Sequence, residues 1–177
     1  LNYSVLFNNF FENLPVILRS PGVYKDQFKG MPCLIVSAGP SLNKNIHLFP
    51  EAKGKCLTIT SGSAIGALQA RGWEPDVACL VDPYKLASVD FKEGNYRMIS
   101  NYTAEPKGVN MGAGNSFFTT TGFNCPLPLP ATQNLQVDIS VATTAYNLAV
   151  LWGCEPIIFI GQDCGITDGQ KYADGLS

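Results

Sequence analysis

The apolar run Cys33-Leu34-Ile35-Val36 breaks at once into the small-residue turn Ser37-Ala38-Gly39 and then into Pro40-Ser41-Leu42, a polar start for a helix. A short apolar run bounded in this way reads as a buried strand, and Pro40-Ser41-Leu42 reads as a first helical turn, so the chain is committed here to a βα unit. Gly39 carries no Cβ to obstruct a close approach, Pro40 suits the first helical position, and the N–H groups beyond it attract an anion. A phosphorylated ligand is one occupant that such a turn accepts. A tight βα connection with nothing bound needs the same residue types.

The same alternation continues along the chain. Apolar runs at 33–37, 56–60, 77–81, 97–101 and 157–161 predict strands, and helices are expected over 41–49, 63–71 and 141–152. Strands separated by helices pair in parallel, so the expected class is α/β, a Rossmann-like open, mostly parallel sheet with helices on both faces. Residues 1–29 read as a helical lead-in closed by Pro21-Gly22, and residues 30–177 as the Rossmann-like domain. The stretch 105–135 is rich in Gly, Pro, Asn and Thr and has no clear period, so it is expected to be a long loop, either a lid beside the site or a surface insertion. With 177 residues, 46% hydrophobic and 15% charged, the chain can bury one sizeable core. It starts at Leu1 and stops at Ser177 just past a glycine-containing turn, and further sequence is expected at both ends.

A formal charge of −2 gives no basic footprint for nucleic acid, and no such partner is expected. Of the six cysteines, Cys33, Cys56, Cys79 and Cys154 lie within or beside apolar segments, where a reduced thiol acts as a small core residue. No CxxC pair occurs and His47 is the one histidine, so neither a zinc site nor a disulfide framework is expected, and a cytoplasmic location is. Asn8, Asn9, Glu12, Asn13 and Pro15 interrupt the apolar amino-terminal stretch, which argues against a secretory signal or a membrane span.

Gly72, Glu74, Pro75 and Asp82 recur at a constant shift as Gly153, Glu155, Pro156 and Asp163. In each set a glycine ends a helix, a proline stops its continuation, and an apolar run delivers an aspartate to the carboxyl end of a strand. In an open parallel sheet that edge carries the ligand. Ser37 and Gly39, then Ser61-Gly62-Ser63, Asp82-Pro83 and Gln162-Asp163 all fall on it. Ser63 can cap the following helix and Gly62 leaves room for a sugar or base. Ser140 opens another helix, whose first turn carries Thr143 and Thr144. Asp82 and Asp163 suit ribose binding, proton abstraction from a hydroxyl, or a salt bridge. There is no GxSxG elbow for acyl transfer and no GxxxxGK[ST] phosphate loop.

Taken in order, Phe28-Lys29-Gly30-Met31-Pro32, Ser37 to Leu42, Asp76 to Pro83, Val141 to Thr144 and Gly153 to Asp163 resemble the motility accessory factor family. Its members are flagellin glycosyltransferase-like proteins with a domain of unknown function shared with an archaeal 6-hydroxymethylpterin diphosphokinase and similar to bacterial sialyltransferases. The resemblance implies that Gly39, Pro40 and Ser41 hold the phosphate of a CMP-sugar donor, that Ser37, Ser61, Gly62, Ser63, Thr143, Thr144 and Gln162 line the nucleotide-sugar, and that Asp82 and Asp163 are catalytic at the sugar end. It implies transfer of a nonulosonic acid from CMP to a Ser or Thr hydroxyl of a protein such as flagellin, with no cofactor beyond the donor. The diphosphokinase relationship implies instead ATP and magnesium, and a third reading is a binding module without catalysis. The pattern departs from the family at Ser61-Gly62-Ser63, where an acidic residue is common, and at Tyr172, where histidine is common. The resemblance therefore does not supply a catalytic base. Flanking helical domains found in flagellin-modifying relatives have no counterpart within these residues.

Overall fold

A computed structural model describes residues 2–84, 92–120, 134–135, 140–166 and 169–173. Its strands are β1 (Cys33–Val36), β2 (Leu57–Ser61), β3 (Val77–Leu80), β4 (Gly94–Asn101), β5 (Gly112–Thr120), β6 (Asn134–Leu135) and β7 (Ile157–Ile160). They form one sheet in the order β6-β5-β4-β3-β2-β1-β7, and every neighbouring pair is parallel. The helices are α1 (Tyr3–Ile17), α2 (Leu42–Asn45), α3 (Phe49–Ala52), α4 (Gly62–Gln69), α5 (Pro106–Val109) and α6 (Val141–Leu151). The expected class, an open parallel sheet covered on both faces, is what forms.

Period-2 alternation within the apolar runs divides the core. Cys33 and Ile35 of β1 point toward Ala145, Leu148 and Ala149 of α6, together with Leu57, Ile59 and Trp152. Leu34 and Val36 point the other way, against Leu42, Ile46, Phe49, Ala64 and Leu68. All four residues of β1 are buried, which is why the strand carries no polar interruption. Farther along the second face, Phe10 and Ile17 of α1 pack with Ile65, Tyr96, Met98 and Phe117.

The order of strands reverses at β1, because the chain builds outward from β1 through β2 to β6 and then returns to place β7 on the other side. That reversal is the switch point at which open α/β sheets form ligand crevices.

Several boundaries differ from the sequence reading. The helix expected over 41–49 is broken into α2, a 3₁₀ turn at Ile46–Leu48, and α3. Pro50 accounts for the break, since its ring is tolerated in the first turn of α3 and not in the interior of a longer helix. The stretch 105–135 is a correction: its described part forms α5, β5 and β6, while residues 121–133 lie outside the described residues. The first half of β5 is Gly-Ala-Gly-Asn-Ser, with no apolar period to announce a strand, and its buried aromatic anchors Phe117 and Phe118 come late. In the lead-in, helix ends at Ile17, and the segment beyond it clasps the end of α6. There Trp152 Nε1 donates to Gln27 Oε1 at 2.8 Å and Phe28 meets the Trp152 ring edge-on at 5.0 Å. Among the described residues no helix is long and apolar enough to cross a membrane.

Candidate functional site

The carboxyl ends of β1, β2, β3 and β7, with the head of α6, enclose a cleft of about 680 Å³. That is the size of a pocket for a nucleotide-sized ligand. Ser37, Gly39, Ser61, Gly62, Ser63, Asp82, Gln162 and Asp163 all line it. Thus the four strand ends singled out in the sequence converge, and both aspartates of the internal echo reach one cavity. A second recess of about 590 Å³ lies at the opposite end, around Phe49, Trp73 and Lys92, away from the crevice that the switch point makes.

The turn after β1 is interlocked with the segment after β7. Ser37 N donates to Ile160 O at 2.9 Å and Gly39 N to Gly161 O at 2.8 Å. Ser37 Oγ donates to Gln162 Oε1 at 2.6 Å, and the Gln162 amide nitrogen donates to Cys164 Sγ at 3.1 Å. Asp163 Oδ2 accepts from Ser41 N at 3.1 Å and from Ser41 Oγ at 2.8 Å. A Cβ on Gly39 would fall on that carboxylate oxygen and stand 2.6 Å from Gly161 O, so only glycine fits. Gly161 has φ +70°, and a Cβ there would run into Ser37 O.

Asp82 is half-buried at the end of β3, where its Oδ1 accepts from Tyr84 N at 2.8 Å. The turn behind it is held from α1: Asn9 Nδ2 donates to Pro83 O at 2.9 Å and to Thr103 O at 3.1 Å. Asn13, fully buried on the same helix, donates to Ala104 O at 2.9 Å. Of these two asparagines, which in the sequence interrupt an apolar stretch, Asn9 thus braces the turn next to Asp82 and both hold the carbonyls of residues 102–104. Their spacing of one helical turn is the signal available in the sequence.

Pro40, Ser41, Thr143 and Thr144 lie beside the cleft but do not line it. Pro40 is buried in the turn, and Ser41 has both donors engaged by Asp163. Thr143 Oγ1 donates to Ser140 O at 2.6 Å and Thr144 Oγ1 to the same oxygen at 3.4 Å. Ser140 Oγ caps α6 by accepting from Ala142 N at 3.1 Å, the capping role its position suggests. The lining also includes Cys164, Ile166, Lys171 and Tyr172, which the strand-end argument does not reach because they lie on the irregular segment after β7. Lys171 is the one cationic side chain among the described lining residues, and its Nζ sits 5.2 Å from the centre of the Tyr172 ring. Among the described residues no group of three or more His, Cys, Asp or Glu side chains is arranged to hold a metal ion. His47 is exposed on the 3₁₀ turn, outside the cleft.

An all-parallel sheet with a crevice at the reversal of its strand order defines a Rossmann-like α/β domain. The profile of the 6-hydroxymethylpterin diphosphokinase MptE-like family matches residues 8–169, and the chain belongs to that family. Among solved structures, the MAf glycosyltransferase from Magnetospirillum magneticum AMB-1 shares the fold, with a TM-score of 0.73 and 21% identity over 93% of this chain. The chain spans 28% of the length of that protein. The resemblance to motility accessory factors read from the motifs agrees with both matches. No curated protein sequence matches the chain significantly.

Proposed function

We propose that the cleft binds the nucleotide of a CMP-activated nonulosonic acid and that the domain serves in transferring the sugar to a Ser or Thr hydroxyl of an acceptor protein, flagellin being one such acceptor. The observation that carries this reading is the convergence of small-residue turns and two aspartates on one nucleotide-sized cleft, in a fold shared with a MAf glycosyltransferase. In the reaction the acceptor oxygen attacks the anomeric carbon, the bond from that carbon to the phosphate oxygen breaks, and CMP leaves with the electron pair. Asp82 is our candidate to take the hydroxyl proton, since it lines the cleft and its second carboxylate oxygen has no described partner. The donor is a substrate, and the reading calls for no further cofactor. A cytoplasmic setting accords with it.

The family match favours one alternative, transfer of diphosphate from ATP to a hydroxymethylpterin, with Asp82 as a ligand of the nucleotide's magnesium. Calorimetric titration of the chain with CMP, and with ATP plus magnesium in parallel, separates the two. Preferential CMP binding is expected. Binding of ATP that requires magnesium would move the assignment to the diphosphokinase, and binding of neither ligand would remove both.

A further inference from the structure

We infer that Asp163 is a positioning residue, the resident anion of the turn after β1, and that the ligand's phosphate is received instead at the head of α4 beside Ser61 and Ser63. The inference rests on the reading of the cleft as a nucleotide site and assigns the place of its phosphate. Three helix heads surround the cleft, and they differ in what already occupies them. α2 has only four residues, and the N–H and hydroxyl of Ser41 at its start are taken by the Asp163 carboxylate. Gly39 is shaped around that carboxylate, so the seat is built for a group of the protein itself. A phosphate placed there would have to displace Asp163 or face its negative charge.

At the head of α6, Ser140 Oγ already takes the Ala142 N–H, and the two threonine hydroxyls turn back onto Ser140 O. α4 is different. It runs for eight residues from Gly62, and its N-cap Ser61 is extended, with φ −71° and ψ 149°, yet makes no capping bond. Ser61 is only 8% exposed, lines the cleft, and its hydroxyl has no described hydrogen-bond partner. A serine more than nine-tenths buried, lining the cleft at an uncapped helix head, offers its hydroxyl to an acceptor bound there. The N–H groups of the first turn have no intrahelical acceptor and favour an anion. Ser63 on that turn and Lys171 line the same cleft and add a hydroxyl and a cation to its donors.

The test tracks backbone amide chemical shifts of the 177-residue chain during titration with inorganic phosphate, with thermal melts of each variant. Phosphate is expected to shift the Ser63 amide and leave that of Ser41 in place, and Ser61→Ala is expected to weaken the response about fivefold, the loss of one hydrogen bond. Asp163→Ala should lower the melting temperature while the Ser63 response persists. Asp163→Asn, whose amide oxygen still accepts from Ser41, should restore the melt. Should Asp163→Ala fail to fold, Ser41→Ala supplies the same comparison from the other side of the bond. A phosphate response centred on Ser41, no response in the cleft, or a melt indifferent to Asp163 would overturn the assignment. A Ser63 response to phosphate without CMP binding would leave it standing and remove the CMP reading. CMP binding with the response on Ser41 would do the reverse.

Discussion

Gly39 and Asp163 meet across the switch point with no room for one more carbon, because Asp163 is tied to Ser41 by two hydrogen bonds and Gly161 O blocks the other side. Gly39→Ala is therefore expected to cost about 1–3 kcal/mol, the range for forcing a methyl into a packed site, measured by urea unfolding. Asp76 illustrates a carboxylate with a purely local task at the other end of β3. Burial pushes its pKa up, but donation from Lys53 and from the hydroxyl and N–H of Thr58 outweighs burial and holds the carboxyl below its ordinary value of 3.8. A depressed pKa in the folded state adds stability that is fully present above the unfolded value and is lost as the pH falls through the folded one. The stability gap between wild type and Asp76→Asn should accordingly be constant near neutrality and close as the pH drops below about 4. Urea midpoints at a series of pH values check this, and a gap that widened in acid would refute it.

Elements show where the sequence is legible. The echo of Gly72 and Gly153 is structural: both have φ +73° and both end a helix by the same pair of backbone bonds. Trp73 N bonds to Leu68 O and Gly72 N to Gln69 O, as Cys154 N does to Ala149 O and Gly153 N to Val150 O. The surroundings differ, for a Cβ on Gly72 meets nothing within 4 Å while one on Gly153 would stand 3.0 Å from Asp26 Oδ1 and 3.2 Å from Lys29 Cα. Gly72→Ala should thus cost about 1–2 kcal/mol, the penalty of the left-handed conformation alone, and Gly153→Ala measurably more. Equal losses in thermal or urea unfolding would contradict this account. Strands β1, β3 and β7 are readable because each is a run of apolar residues of strand length, and β2 because it alternates Leu57 and Ile59 with the β-branched Thr58 and Thr60. β5 is not, because its pairing with β4 relies on backbone bonds along a Gly- and Asn-rich half that carries no pattern of its own. Likewise Asn9 and Asn13 look like breaks in an apolar helix until the carbonyls they hold are seen.

At the scale of the whole molecule, the fold separates thiols by burial. Cys33 and Cys79 are buried in the core, where desolvation raises their pKa values, that of Cys79 to about 12, so neither forms thiolate near neutral pH. Cys164 is exposed in the cleft. Iodoacetamide is expected to label Cys164 in the native protein and to spare Cys33 and Cys79, and CMP should slow that labelling, as peptide mass mapping would report. Labelling of Cys164 unaffected by a bound nucleotide would place the ligand elsewhere. The class of fold, the edge of the sheet that carries the cleft, and the approach of Asp82 and Asp163 to one cavity were determined by the sequence itself. Each depends on local patterns: apolar runs of strand length, helix-ending glycines, and small or acidic residues just past a strand. What Asp163 and Ser41 do there was decided only by the tertiary structure, since they are 122 residues apart and their bond forms because β7 returns to the far side of β1. Contacts made by chain reversal depend on strand order, and strand order leaves no trace in any short window of residues.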